Sequence, residues 1–245
     1  MICNILYLYP NLMNLYGDNG NVRGLEKHLQ DQGVQVQVRR VEPGEPLTFE
    51  DVHLIYMGSG TERSQKAALE ALKPHRGDLL AALERGVQLL FTGNSMELLG
   101  QSITAGDGTV YEGLGLAPFT TVECKDRRDN GDILYKADFL ERPVVGYVNK
   151  SSQVHGVTSP LFQVIHGAGN AEGEPGEGFR QGNLWGTHVT GPVLLKNPHL
   201  MEAVLQRLGR QIPGFSFEKK EYPNMENAYE VTLRELTNRF EGIQK

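Results

Sequence analysis

Residues 87–100 read VQLLFTGNSMELLG and carry the clearest indication of the fold class. The apolar run 87–91 is typical of a parallel strand that is buried on both faces. Gly93 opens a sharp turn, and a short helix at 96–99 ends at the final glycine. In an open α/β sheet such a turn stands at the carboxyl end of a strand, where sites form. We therefore expect an α/β sheet with a functional turn after this strand.

The chain before this stretch alternates strand-like and helix-like segments. We expect strands at 5–9, 34–41 and 52–57, and helices at 21–32, 67–72 and 79–83. The last two helices read as one helical stretch broken near Pro74 and Gly77. This alternation predicts a mostly parallel sheet with helices on both faces.

The chain after residue 100 is β-rich. Short strand patterns at 109–111, 119–124, 132–135 and 144–148 are separated by Gly, Asp and Asn. The stretch 167–182 holds six glycines among sixteen residues, which predicts a loop that approaches something closely or moves. A strand at 184–189 and a helix at 198–208 follow.

The last segment of the chain carries a second amphipathic pattern. Residues 210–223 show no clear periodicity, whereas 225–240 place Tyr229, Leu233, Leu236 and Phe240 on one stripe of a helix. Such a helix either packs back on its own domain or docks on a partner, and the pattern leaves both open.

Composition and charge exclude several classes of partner. The 245 residues carry 24 Lys+Arg against 30 Asp+Glu, a formal charge of −6, so no basic footprint for nucleic acid or an anionic membrane is present. No run approaches the roughly 18 to 20 apolar residues of a membrane span, and the first residues lack a leader pattern. We expect a cytoplasmic protein whose partner is a small molecule or another protein.

The two cysteines give no sign of a disulfide framework or a metal site. Cys3 and Cys124 lie 121 positions apart, with no Cys-x-x-Cys motif or Cys/His cluster. Two buried thiols explain them, and we expect neither a metal nor a cofactor.

Two loops after buried strands are candidates for chemistry. The glycines of Gly58-Ser59-Gly60 would let backbone N–H groups face an oxyanion, although a flexible strand-to-helix turn gives the same pattern. Ser95 would be the nucleophile if the turn at 93 were a nucleophile elbow, or else an N-cap. Glu97 stands where that elbow usually needs a small residue.

A general base and a carboxylate-binding residue can also be suggested. Among seven histidines only His188 stands at a strand end downstream of the glycine-rich stretch, where it is either a base or a polar residue that fills the strand end. Arg128 could grip a carboxylate through its guanidinium fork, and so could Arg127, although an exposed charged turn fits both equally well.

These segments resemble the class I glutamine amidotransferases of the cobyric acid synthase type, and among them the glutaminase subunits of lipid II isoglutaminyl synthases. The resemblance is carried by Tyr9-Pro10 through Asn21, by Gly58-Ser59-Gly60 with Gln65, by 86–100, and by Gly186-Thr187, Gly191-Pro192 and Lys196-Asn197-Pro198. It implies a flavodoxin-like domain over 1–208 and a C-terminal extension over 209–245. It also implies that Gly58-Ser59-Gly60 is the oxyanion loop and that Arg128 holds the α-carboxylate of glutamine.

The chain departs from the family where catalysis takes place. Against the family elbow Gly-Ile-Cys-Gly-Gly-Tyr-Gln-Leu-Leu-Gly, Gly93 stands in place of the cysteine; against Gly-Thr-Tyr-Leu-His-Gly-Pro, Thr190 stands in place of the histidine and His188 in place of the tyrosine. The segment 146–150 also departs from the usual Gly-Phe-Glu-Asn-His. Glutaminase chemistry needs a thiolate and an imidazole, and Gly93 and Thr190 supply neither.

Three functions follow from this resemblance. The first is an amidotransferase-like subunit that works with an ATP-dependent, Mur-ligase-like synthetase in cell-wall amidation, its own glutaminase activity lost. The second is an active hydrolase with a relocated dyad of Ser95 and His188, and the third is a non-catalytic module that keeps the glutamine pocket as a sensor. The amide acceptor stays open between a peptidoglycan precursor, a corrinoid and another molecule.

Overall fold

The computed structural model describes residues 1–243 of the chain. The strands are β1 (Ile2–Leu8), β2 (Gln35–Val41), β3 (Leu54–Met57), β4 (Gln88–Thr92), β5 (Ser102–Thr104), β6 (Val110–Glu112), β7 (Thr120–Glu123), β8 (Asp129–Lys136), β9 (Val144–Lys150), β10 (Ser152–His155), β11 (Phe162–His166), β12 (Gly176–Glu177), β13 (Phe179–Gln181) and β14 (Leu184–Thr187). The α-helices are α1 (Asn19–Gln30), α2 (Glu62–Leu72), α3 (Arg76–Glu84), α4 (Val193–Lys196), α5 (Pro198–Gly209) and α6 (Pro223–Ile243). Two 3-10 segments span Lys73–His75 and Gly93–Leu99.

The main sheet has six strands in the order β13-β14-β4-β3-β1-β2. Adjacent strands in this sheet are parallel, except that β13 runs antiparallel to β14. Every residue of β3 and β4 is buried, because α2 and α3 cover one face and α1 and α5 the other. The predicted α/β class, with helices on both faces, is confirmed.

The second half adds two four-stranded sheets, in the orders β10-β7-β5-β6 and β12-β11-β8-β9. The expected β-rich texture is therefore confirmed, although the sequence pattern missed β5, β10 and β11. The glycine-rich stretch 167–182 is corrected from a loop to a segment that includes β12 and β13. Its glycines do serve a close approach: Gly178 has φ +72°, and a Cβ there would stand 2.5 Å from the carbonyl oxygen of Gly186.

The C-terminal helix α6 packs back on its own chain. Tyr229, Leu236 and Phe240 are buried against Leu134 of β8 and Val145 of β9. This arrangement corresponds to the first of the two alternatives for the amphipathic stripe. The boundary at residue 208 stays a prediction, and residues 244 and 245 of the expected extension lie outside the described residues. None of the helices within 1–243 has the length and apolarity that crossing a membrane requires.

Candidate functional site

The candidate site lies where three parallel strands end side by side. β3 pairs with β4 and β4 with β14, so the loops after residues 57, 92 and 187 share one edge of the sheet. A cavity of about 70 Å³ at this edge is lined by residues from distant parts of the sequence: Leu15, Tyr16, Ser59, Gly60, Thr61, Glu62, Asn94, Glu97, Glu123, Arg128, Asn149, Lys150, Ser151, Ser152 and Thr190.

The turn at Gly93 has no room for a side chain. Gly93 has φ +66°, and a Cβ built on it would stand 1.9 Å from Ser59 Oγ. Ser59 is buried, and its hydroxyl donates to Oδ1 of the buried Asp18 at 3.0 Å. Burial raises the pKa of Asp18, and the hydrogen bonds from Tyr16 and Ser59 only partly oppose that rise. A hydroxyl thus fills the space that a nucleophile on residue 93 would need.

Thr190 lines the cavity but is tied to the backbone. Its hydroxyl donates to the carbonyl oxygen of Tyr147 at 3.0 Å, and its amide donates to the same oxygen at 2.9 Å. A threonine hydroxyl cannot take up and release a proton near neutral pH as an imidazole does. The residue at this position therefore fixes the loop after β14 to β9.

Ser95 is also engaged with the backbone. Its buried hydroxyl lies 2.8 Å from the carbonyl oxygen of Thr92 and 3.1 Å from that of Met57, and can donate to either. Ser95 lies inside the 3-10 segment Gly93–Leu99, which corrects the N-cap alternative. The structure forms no hydrogen bond between Ser95 and His188, whose ring faces two carboxylates instead.

His188 is enclosed between Glu177 and Glu97. Its Nδ1 lies 3.2 Å from Glu177 Oε1 and its Nε2 lies 3.5 Å from Glu97 Oε1, and all three side chains are buried. Burial and the charge of Lys150 lower the pKa of His188, but the two carboxylates outweigh them and the net shift is upward. Both ring nitrogens face carboxylates, so this histidine is poorly placed to take a proton from another group.

Glu97 and Lys150 complete this buried charge cluster. Glu97 accepts from Gln65 Nε2 at 2.7 Å and from the Ser152 hydroxyl at 2.5 Å. Lys150 is buried and donates to the carbonyl oxygens of Ser152 and Asn170 at 3.0 and 2.7 Å. Burial opposes ionisation of Glu97, but His188, Ser152 and Gln65 hold its pKa below the usual value.

No single segment of the sequence identifies this cluster. The signal for it was the set of three departures from the family motifs, since Glu97 replaces a glutamine, Lys150 a histidine and His188 a tyrosine. The three departures place one carboxylate and two basic groups in one buried region. Only their meeting in space shows that the three changes belong together.

Arg128 faces a carboxylate of its own chain. Its Nη2 donates to Glu62 Oε1 at 2.8 Å and its Nη1 donates to Asn149 Oδ1 at 2.7 Å. Asn149 in turn donates to the Tyr16 hydroxyl at 2.9 Å. Both ionised side chains are about half exposed, at the solvent side of the cavity. Arg127 points elsewhere and pairs with Asp129 and Glu172.

The expected oxyanion loop is closed by Asn94. The amide of Gly60 donates to Asn94 Oδ1 and Asn94 Nδ2 donates to the carbonyl oxygen of Gly60, both at 2.9 Å. A Cβ on Gly58 would stand 2.4 Å from the Cβ of Asp18, so this position requires glycine. The loop keeps a compact shape, but its Gly60 amide is already bound.

Neither cysteine contributes to the cavity. Cys3 lies in β1, where burial raises the pKa of its thiol to about 12. Cys124 follows β7, is partly exposed and does not line the cavity. Neither thiol is therefore placed to act at this cavity.

The chain shares a domain and close sequence similarity with known proteins. The CobB/CobQ-like glutamine amidotransferase domain matches residues 4–198. The chain is 31% identical over 220 residues to the lipid II isoglutaminyl synthase (glutamine-hydrolyzing) subunit GatD of Staphylococcus aureus (strain N315), covering 90% of this chain and 89% of that protein. It is 29% identical over 199 residues to the subunit of the same name from Streptococcus pneumoniae (strain ATCC BAA-255 / R6), and this match covers 80% of this chain and 76% of that protein.

Solved structures share the fold at much lower identity. PurLQS from Thermotoga maritima matches with a TM-score of 0.54 at 13% identity, over 85% of this chain and 100% of that one. A crystal structure of a glutamine amidotransferase matches with a TM-score of 0.55 at 16% identity, over 83% of this chain and 98% of that one. At these identities the likeness shows the fold alone.

Proposed function

Because the chain belongs to the CobB/CobQ-like glutamine amidotransferase family, we propose that it is the amidotransferase subunit of an assembly that amidates a peptidoglycan precursor in the cytoplasm. The two relatives described above, both named as subunits of lipid II isoglutaminyl synthase and matched over most of this chain, favour this acceptor over a corrinoid. The partner in this proposal is a Mur-ligase-like synthetase that carries out the ATP-dependent step.

The proposal includes the loss of glutaminase activity in this subunit. The observation that carries it is the contact between Gly93 and Ser59: the residue at the nucleophile's place has no side chain, and the space is filled. Covalent glutaminase chemistry needs a nucleophile that attacks the carboxamide and a base that passes its proton to ammonia. The Ser59 hydroxyl is hydrogen-bonded to Asp18 rather than to a histidine, and Thr190 replaces the base.

What the subunit contributes in this proposal is binding. The fold around the site is intact and the loop glycines are kept. Glu97 joins the turn at Gly93 to Ser152 of β10 and to His188 after β14, and His188 in turn pairs with Glu177. Such a subunit can hold the synthetase in its working arrangement while ammonia comes from solution.

Two measurements test the two parts of this proposal. Coexpression with a Mur-ligase-like synthetase followed by affinity purification tests the assembly, and we expect the two chains to copurify in equal amounts. Glutamate release from glutamine, measured for the chain alone and for the complex, tests the loss of activity, with the Staphylococcus aureus relative and its own partner as the positive control. We expect no turnover above background, and turnover near about 1 per second or faster would contradict the loss.

A further inference from the structure

A second, larger cavity lies at the opposite end of the main sheet. It has a volume of about 570 Å³ and is lined by residues that precede β3, β4 and β14, together with the end of α5. The site described above forms at the carboxyl ends of the same strands. The two cavities are therefore separated by the length of the sheet.

Three guanidinium groups and one carboxylate line this second cavity. The arginines are Arg85, Arg207 and Arg210, and the carboxylate is Asp51. The chain as a whole carries a formal charge of −6, so this local excess of positive charge runs against the composition. Arg128, Arg142 and Arg239, in contrast, each pair with a carboxylate elsewhere on the molecule.

Two of the three guanidiniums are held by neutral groups. Arg207 donates through Nη2 to the carbonyl oxygen of Gly182 at 2.7 Å and to Asn183 Oδ1 at 2.9 Å, and through Nε to Gln88 Oε1 at 3.1 Å. Arg85 Nη2 donates to the carbonyl oxygen of Phe49 at 3.0 Å. These contacts fix the orientation of both side chains without neutralising them, which lowers the cost of ordering them around an anion.

The third guanidinium is free. Within residues 1–243 the side chain of Arg210 makes neither a hydrogen bond nor an ion pair with the protein. Burial, followed by the charges of Arg210 and Arg180, lowers the pKa of Arg207, which shows that like charges crowd this region. An anion bound between them would remove that repulsion.

His53 adds a neutral donor to the lining. Its Nδ1 accepts the amide hydrogen of Asn4 at 3.0 Å, and burial lowers its pKa. A neutral ring whose Nδ1 is an acceptor carries its hydrogen on Nε2. The three arginines and this ring thus bring hydrogen-bond donors to a lining that holds one carboxylate, Asp51.

We propose that this cavity binds a small molecule that carries phosphate groups. Guanidinium forks match phosphate oxygens in bidentate geometry. Arg85 and Arg210 keep such a fork, whereas Arg207, whose Nε and Nη2 donate to the protein, offers its Nη1 and its positive charge. A cavity of about 570 Å³ is much larger than one phosphate, so a diphosphate or a nucleotide fits it better. The site lies apart from the amidotransferase site, and the proposal does not depend on the function assigned to that site.

The test is calorimetric titration of the full chain with inorganic phosphate, pyrophosphate and ATP. We expect pyrophosphate or ATP to bind more tightly than phosphate, and the tighter of the two identifies the source of the phosphate groups. Arg85→Gln and Arg210→Gln should each weaken binding about tenfold, since one charge-assisted hydrogen bond is lost. Arg23→Gln, an exposed arginine outside the cavity, is the matched control and should bind as the wild type does.

Two further measurements, the unfolding temperature of the variants and the salt dependence of binding, show whether a change in affinity comes from the loss of a positive charge. Arg85 and Arg210 are both exposed, so their glutamine variants should unfold at the wild-type temperature. Binding should weaken as the salt concentration rises. Absence of binding for all three anions, or equal binding by the Arg85→Gln, Arg210→Gln and Arg23→Gln variants, would overturn the proposal. Binding of a polyglutamate peptide without binding of pyrophosphate or ATP would overturn it as well, and would assign the cavity to an acidic protein segment.

Discussion

Ser59 Oγ occupies the space beside Gly93 that a side chain on residue 93 would need, 1.9 Å from the position of its Cβ. The two residues lie on different loops, one after β3 and one after β4, which meet because those strands are parallel neighbours. The packing of these two loops therefore leaves no room for a side chain at residue 93. Restoring a cysteine at residue 93 alone would not restore the geometry of an amidotransferase.

The first prediction follows from this contact. Gly93→Ala should destabilise the fold by about 1–2 kcal/mol from the left-handed backbone and by a further ~1–3 kcal/mol from the clash with Ser59. In a Ser59→Gly background the clash is removed and only the backbone cost remains. Urea unfolding of the four proteins in a double-mutant cycle measures the coupling.

Gly33→Ala provides the matched control for backbone strain. Gly33 has φ +78° and nothing within 4 Å of a built Cβ, so its replacement costs strain without a clash. Equal losses for Gly93→Ala with and without Ser59 would contradict the steric relationship.

The second prediction concerns pH. The pKa of His188 is raised, so its contribution to stability is full below the ordinary value of 6.5 and is lost as pH rises through the folded-state pKa. The pKa of Glu97 is lowered, so its contribution is present above 4.5 and is lost as pH falls through its folded-state pKa. The difference in unfolding free energy between the wild type and His188→Gln should be largest between pH 4.5 and 6.5.

Above that window the difference should fall, with a limiting slope of about 1.4 kcal/mol per pH unit for one linked proton. Chemical unfolding at pH 5.5, 7 and 8.5 measures it. His155→Gln, at an exposed position, is the control for loss of a surface histidine. A difference that grows with pH would show that His188 is held neutral between the two carboxylates.

The third prediction concerns the pair of Glu62 and Arg128. If Arg128 holds the α-carboxylate of glutamine, Glu62 competes with that ligand for the same guanidinium. Glu62→Gln should tighten glutamine binding by up to about fivefold, the range of an exposed ion pair. Calorimetry or ligand-observed NMR with glutamine measures the change.

Arg128→Gln in the same background should abolish that gain. Glu26→Gln, a carboxylate on α1 outside the cavity, is the control and should leave glutamine binding unchanged. Tighter binding that persists without Arg128 would assign the carboxylate of the ligand to another partner.

The fourth prediction concerns α6. Leu236 is 5% exposed and packs against β8 and β9, so Leu236→Ala should cost about 2–5 kcal/mol. Val231, on the same helix and 49% exposed, is the matched control, and Val231→Ala should change stability by less than about 0.5 kcal/mol. Thermal or urea unfolding measures the loss of stability in each variant. Equal losses for Leu236→Ala and Val231→Ala would show that α6 does not cover the domain in solution.

Periodicity and local motifs predicted most of the fold. Local sequence patterns specify the buried strands at 52–57 and 87–91, the helices between them and the turn at Gly93. The structure has these elements within a few residues of the predicted positions. The short strands β5, β10 and β11 were missed, because strands of three to five residues carry too few alternations to stand out. In the glycine-rich stretch, β12 and β13 are only two and three residues long, too short to show an alternation, and β13 forms a hairpin with the neighbouring β14.

Comparison of motifs is enough to show that residue 93 is not a cysteine and residue 190 is not a histidine. Which groups occupy the space around these positions depends on the three-dimensional packing. The Ser59 hydroxyl beside Gly93 and the enclosure of His188 between Glu97 and Glu177 join residues 11 to 91 positions apart. Such contacts are set by the packing of strand ends against one another. Close packing fixes the position of each side chain within a fraction of an ångström, whereas a sequence pattern fixes only the face of the strand or helix on which that side chain lies.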